Sequence, residues 1–287
     1  MVTITPAGTI TKNGPVFTMG VPSAALVSGG DLLLRERARP VVPSGFRPLD
    51  ALLPAGGIRP GSLVEWLAEG HGVCGGGAAT FAFAVACRLA AGGGASGGDQ
   101  ARPRTIVVVD RSGWFHPPAV LPWLDDERRL VVARPSRDDD EIWTIDQALR
   151  CTGVAAVLAW PRMKPRVSPS ASRPAGSFQQ WSTAMRRWQL AAAGSGAIGL
   201  FVRPRAAIGE PSWAEARIAV SSKPGGTLLE RRLRLTLAGG SWSAVTGGQR
   251  IADVVLDLAR GSVGASRSGS NMSGMSSGKA GVVCRAS

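Results

Sequence analysis

The residues with the most chemistry to offer lie in one turn, Glu69-Gly70-His71-Gly72-Val73-Cys74-Gly75-Gly76-Gly77-Ala78-Ala79-Thr80, which leads from an apolar strand-like run into an apolar helical one. Glycines at a helix N-terminus let backbone N–H groups converge on an anion. A loop that works on a nucleoside triphosphate also needs a Lys for the outer phosphates and a Ser or Thr hydroxyl for magnesium. If Gly70 opens such a motif, Gly76 and Gly77 hold the Lys and hydroxyl positions; if Gly72 opens it, Ala78 and Ala79 do. Neither register supplies a cation or a hydroxyl. Two uses remain open for Gly70, Gly72, Gly75, Gly76 and Gly77: an anion nest that retains ATP binding, or a tight strand-to-helix turn.

Other catalytic chemistry finds little to build on. His71 and His116 are the only histidines, and His71 with Cys74 would give a metal two ligands, so no metal site is expected. Neither histidine lies near a nucleophile elbow. Cys74, Cys87, Cys151 and Cys284 are far apart and form no paired motif, which fits a reducing compartment and cytoplasmic residence. The N-terminal segment lacks a signal-peptide pattern, and no run of eighteen apolar residues is present, so neither secretion nor membrane insertion is expected.

The charge is one-sided. The 287 residues carry 33 basic against 20 acidic side chains, a net +13, and all but four of the basic ones are arginine. An excess of this kind favours polyanionic partners, while coding bias toward arginine and a solvated surface would produce the same number. Its distribution is more telling. No acid occurs between Asp146 and Glu210, where Arg150, Arg162, Lys164, Arg166, Arg173, Arg186, Arg187, Arg203 and Arg205 all fall.

The surrounding pattern alternates β-rich and helical runs from Val41 to about Gly240, as in an α/β domain around a largely parallel sheet. Strands are expected at Ser62 to Leu67, Thr105 to Val109, Leu130 to Ala133, Val154 to Ala159, Ala197 to Val202, Ala216 to Val220 and Arg232 to Leu237. The first five are nearly continuous apolar runs and should be covered on both faces. Arg232 to Leu237 alternates strictly and is expected near an exposed edge. Helices are expected at Ala78 to Ala91, Asp139 to Cys151 and Phe178 to Ala193; Trp181, Met185, Trp188 and Ala192 form a core stripe on the last. Residues 1–40 read as a loosely ordered arm with a short helix around Asp31 to Arg39. Ile251, Val254, Val255 and Leu258 mark an amphipathic helix packed on the domain within 241–260, a weak candidate for partner contact. The Gly/Ser-rich residues 261–287 read as a disordered tail.

The string Gly45-Phe46-Arg47-Pro48-Leu49-Asp50, then Gly56-Gly57, Pro60-Gly61 and the strand through Trp66, resembles the opening of the RecA/KaiC-like ATPase core. Asp110, Pro117-Pro118-Ala119, Arg129 to Pro135, Trp143, Asp146 to Arg150 and Ala156 to Trp160 follow in an order that resembles ImuA, the RecA-related partner in bacterial error-prone translesion synthesis. The likeness covers Val41 to Leu237. It implies a RecA-like α/β core with a degenerate P-loop. Trp160 stands where the active family has an Asp, and Asp110-Arg111-Ser112 where the recombinases offer a Glu. Missing electrostatic groups cost on the order of 10² to 10³ each in rate, so no catalytic residues, no cofactor and no ATP hydrolysis are expected.

By the same resemblance, Met163 to Ser177 and Pro204 to Ser212 correspond to DNA-facing loops. Arg162, Lys164, Arg166, Arg203 and Arg205 are then the expected phosphate contacts, with Trp160 and Trp213 placed to stack on bases. The implied function is non-catalytic: an accessory protein in DNA-damage tolerance, with single-stranded DNA, a translesion polymerase-family protein and RecA as partners. An active DNA-dependent ATPase and a SulA-like inhibitor of cell division are the alternatives.

Overall fold

Runs of Val, Ile, Leu and Ala become the strands of one sheet: β1 (Leu63–Ala68), β2 (Thr105–Val109), β3 (Leu130–Ala133), β4 (Val154–Ala159), β5 (Ile198–Pro204), β6 (Ala216–Ser222), β7 (Glu230–Gly239), β8 (Ile251–Asp257) and β9 (Ser262–Ala265). These are seen in a computed structural model that describes residues 40–69, 75–92, 104–161, 176–240, 250–259 and 262–265. The expected arm over 1–39, with its short helix, lies outside the described residues, as does 266–287.

The strand order is β3-β2-β4-β5-β1-β6-β7-β8-β9. Every pairing from β3 to β6 is parallel, and those from β6 to β9 are antiparallel. Parallel neighbours need crossovers; α-helices lie on three of them, and 3-10 turns on the β2-to-β3 and β5-to-β6 connections. The helices are α1 (Arg47–Leu52), α2 (Ala78–Ala90), α3 (Asp138–Arg150) and α4 (Gly176–Ser195). The protein is therefore α/β, with a largely parallel sheet flanked by helices.

The period of two along β1 divides the core. Val64, Trp66 and Ala68 join Phe46, Leu49, Phe81 and Phe83 of the α1 and α2 side, whereas Leu63 joins Ile145, Trp181, Met185, Trp188 and Phe201 of the α3 and α4 side. The stripe expected on α4 is core: Trp181 is 2 % exposed, and Met185, Trp188 and Ala192 are fully buried. Helix α3 opens on Asp138, Asp139, Asp140 and Glu141 and ends at Arg150, so its charges oppose the helix dipole at both ends.

Four expectations change. β3 is apolar but forms the sheet edge, and Val131 is 48 % exposed, so hydrophobicity there does not report cover on both faces. β7 is an interior strand rather than an edge; Leu233 and Leu235 are buried while Arg232 and Arg234 are not, because only one face of this half is covered. Ile251 to Leu258 is a strand followed by a turn, not an amphipathic helix. Its apolar residues fit both periods, but the inward set is Val254 and Leu256 at a spacing of two, with Ile251 51 % exposed. β-branched residues also favour the extended form. Finally, the tail expected to be disordered contributes Ser262–Ala265 as the outermost strand, paired with β8.

Candidate functional site

The turn between β1 and α2, the end of β2 and the end of β4 all open at the carboxyl end of the parallel strands, where α/β sheets place their ligands. Gly70, His71, Gly72 and Cys74 lie outside the described residues, and of Gly75 only the backbone is described. Gly76 and Gly77 have φ of 69° and 79°, which glycine adopts without strain. They also sit against the antiparallel strands. A Cβ on Gly76 would stand 2.8 Å from the Val220 carbonyl oxygen, and one on Gly77 2.8 Å from Leu233 Cδ2. In the register that opens at Gly70, the cation and hydroxyl positions thus lack room for any side chain. In the register that opens at Gly72, Ala78 is buried in the core and Ala79 is half-buried.

Asp110, at the end of β2, is 1 % exposed. Its Oδ1 accepts the backbone N–H of Trp114 at 3.0 Å and its Oδ2 that of Phe115 at 2.8 Å, so the carboxylate folds the loop that follows. Trp160, at the end of β4, is 5 % exposed and its ring centroid lies 6.4 Å from that of Phe115. The expected stacking of Trp160 on bases is corrected by this burial. Its indole N–H meets no acceptor among the described residues. Phe83, Trp114, Phe115, Trp123 and Trp160 wall a cavity of about 390 Å³, with Thr80, His116 and Arg231 as its polar groups. Among the described residues, the cavity at this end of the sheet is walled mainly by aromatic and apolar side chains.

The expected DNA contacts separate. Arg162, Lys164 and Arg166 lie outside the described residues. Arg203 does not face solvent, which corrects its assignment as a phosphate contact. Its side chain is 8 % exposed and forms ion pairs with Glu65, at 3.3 Å, and with Glu210. The guanidinium also lies 3.8 Å from the Trp181 ring centroid. Arg217 Nε reaches the other Glu65 oxygen at 2.7 Å, and its remaining N–H groups donate to the carbonyls of Ala207, Ile208 and Glu210. Glu65 is fully buried, so the set is viable only because each charge is paired and hydrogen-bonded. Glu65 and Arg217 were not among the expected site residues. Their signal was a lone charge inside an otherwise apolar strand.

Arg205 opens the 3-10 turn Arg205–Gly209, is half-exposed, and has no ion pair among the described residues. Trp213 is 43 % exposed, and Arg186 lies 4.5 Å from its ring centroid. Other basic residues of the acid-free span are neutralised from outside it: Arg150 and Arg187 both pair with Asp146, at 2.9 and 3.5 Å. On the antiparallel half, Arg234 and Lys223 donate to Asp253 and hold its carboxyl down at about 2. Burial pushes the Cys87 thiol up to about 12.

Among the described residues no group of three or more His, Cys, Asp or Glu could hold a metal ion, and no helix is long and apolar enough to cross a membrane. Set against models of known protein families and against curated proteins, the chain matches none.

Proposed function

We propose that this chain is a non-catalytic, RecA-like accessory protein of DNA-damage tolerance that acts by docking single-stranded DNA and a translesion polymerase-family partner. The observation that carries the reading is the turn from β1 into α2. It occupies the position of a phosphate loop at the carboxyl end of a parallel sheet, yet Gly76 and Gly77 are packed against Val220 and Leu233, with no Lys or hydroxyl in either register. The aromatic cavity beside it and the use of Asp110 as a loop cap support the same conclusion. The resemblance to ImuA supplies the cellular setting.

Incubation with magnesium and ATP, with and without single-stranded DNA, is expected to release no phosphate above background. Release that a Gly76→Asp change abolishes would establish the ATPase alternative instead. With Arg203 withdrawn, Arg162, Lys164, Arg166 and Arg205 leave about four phosphate contacts, so log K should fall against log salt with a slope near −3 on single strands. Co-purification from DNA-damaged cells is expected to bring down a translesion polymerase-family protein or RecA. Capture of a division protein in their place would favour the inhibitor reading.

A further inference from the structure

The β6–β7 hairpin carries the most exposed large apolar side chain among the described residues. Leu228 is 98 % exposed and its neighbour Leu229 58 %. Such residues on a mobile loop would mean little, but this tip is pinned. The Lys223 N–H donates to the Arg232 carbonyl at 2.9 Å, that of Glu230 to the Thr227 carbonyl at 3.2 Å, and that of Leu258, beyond the end of β8, to the Leu229 carbonyl at 2.7 Å. The backbone that presents the two leucines is therefore held on both sides.

Two cations follow the apex on β7. Arg231 and Arg232 are exposed and have no ion pair among the described residues, in contrast to Lys223, which is bound to Asp253. Successive residues of a strand project to opposite faces. Arg231 accordingly turns toward Gly77 and Thr80, and Arg232 toward Gly225. Glu230 is the one acid between Lys223 and Arg232.

Position adds to this. Ala68, the last residue of β1, is opposite Pro204 on one side and Val220 on the other. Arg205 and the hairpin therefore rise from the same end of the sheet, their parent strands about 10 Å apart. β4, parallel to β5, ends on that side too.

We propose that the β6–β7 tip is a nucleic-acid wedge, in which Leu228 and Leu229 insert between bases of single-stranded DNA while Arg231 and Arg232 hold the flanking phosphates. This rests on the DNA-binding reading above and names the element that engages the bases. Apolar side chains flanked by arginine are a recurring device for unstacking bases, and the cost is least where the bases are unpaired. The other occupants fit less well. Two leucines fall short of the roughly 800 Å² per partner of a stable protein interface, and durable membrane attachment takes more than one weak anchor.

The test uses the full chain and a single-stranded oligonucleotide containing 2-aminopurine, read by base fluorescence and by anisotropy across a salt series. The native chain should bind and raise the 2-aminopurine emission. Leu228→Ser with Leu229→Ser, both on the surface, should keep the thermal midpoint and the salt slope, lose the emission change, and bind about tenfold more weakly. With these two contacts added to the four above, the native salt slope should steepen to about −4, and Arg231→Gln with Arg232→Gln should return it to about −3. Binding by the native chain that neither pair of changes alters would overturn the wedge and leave the DNA reading standing. No binding by the native chain would remove both. Leucine-dependent binding to phosphatidylserine vesicles, with oligonucleotide binding unaffected by the serine pair, would assign the tip to a lipid surface and overturn the proposal.

Discussion

The two halves of the sheet handle charge in opposite ways. From β3 to β6 the strands are parallel and helices lie on both faces, so a charged residue on β1, β5 or β6 is carried into the interior. There Glu65, Arg203 and Arg217 survive because each charge has an opposite one beside it. From β6 to β9 only one face is covered, by α1 and the turn before α2, and Lys223, Arg234 and Asp253 pair across the open face in contact with water. Similar N–O distances occur in both sets, 2.7 Å for Arg217–Glu65 and 2.9 Å for Arg234–Asp253. Depth, not distance, separates their energetic weight, because water screens the second set and is excluded from the first.

The largest expected effect comes from breaking the interior set. Glu65→Ala leaves Arg217 buried without a carboxylate and Arg203 with Glu210 alone, and should cost about 3–5 kcal/mol in urea unfolding. A loss below 1 kcal/mol would mean that water reaches this set and would remove the contrast between the halves. Next comes the junction between them. Gly77→Ala combines a left-handed backbone with a methyl pressed onto Leu233, and should cost about 2–3 kcal/mol. Gly56→Ala, at a φ of 74° with nothing within 4 Å of the added carbon, should cost about 1 kcal/mol from the backbone alone.

Asp253→Asn tests the open face and should cost at most about 1 kcal/mol near neutral pH. The sign of its pH dependence follows from the lowered carboxyl. Its stabilisation is fully present above the ordinary carboxylate range near 4 and is lost as pH falls through about 2, so native and variant unfolding curves should converge there. The smallest perturbation is chemical labelling. In a Cys74→Ser, Cys284→Ser background at pH 8, the exposed Cys151 should alkylate readily. Cys87, its thiol held near 12 by burial, should react only on unfolding.

Much of this was legible along the chain, for identifiable reasons. β2, β3 and β4 begin and end where their apolar runs do, and the Trp181, Met185 and Trp188 stripe of α4 is core as its spacing requires. The failures share a cause as well. At Ile251 to Leu258 the apolar residues satisfy periods of both 3.6 and 2, and only pairing with β7 resolves them. At Arg203 a place in the acid-free span does not bring exposure. One of its partners, Glu65, lies 138 residues away, and the other, Glu210, stands just beyond the acid-free span. A charge count along the chain measures sequence neighbours, whereas ion pairing depends on strand neighbours.

The sequence by itself determined which groups exist to do chemistry: a glycine turn with Gly or Ala at its cation and hydroxyl positions, an acid-free arginine span, and a lone glutamate in an apolar strand. No fold could add what those positions lack. Only the tertiary structure decided which arginines remain available. The sheet order sets β1 between β5 and β6, so that Glu65 draws Arg203 and Arg217 inward, and it raises the β6–β7 tip with Leu228, Arg231 and Arg232 into solvent. The physical reason is that burial belongs to positions in the sheet, and the energy of a charge follows its burial.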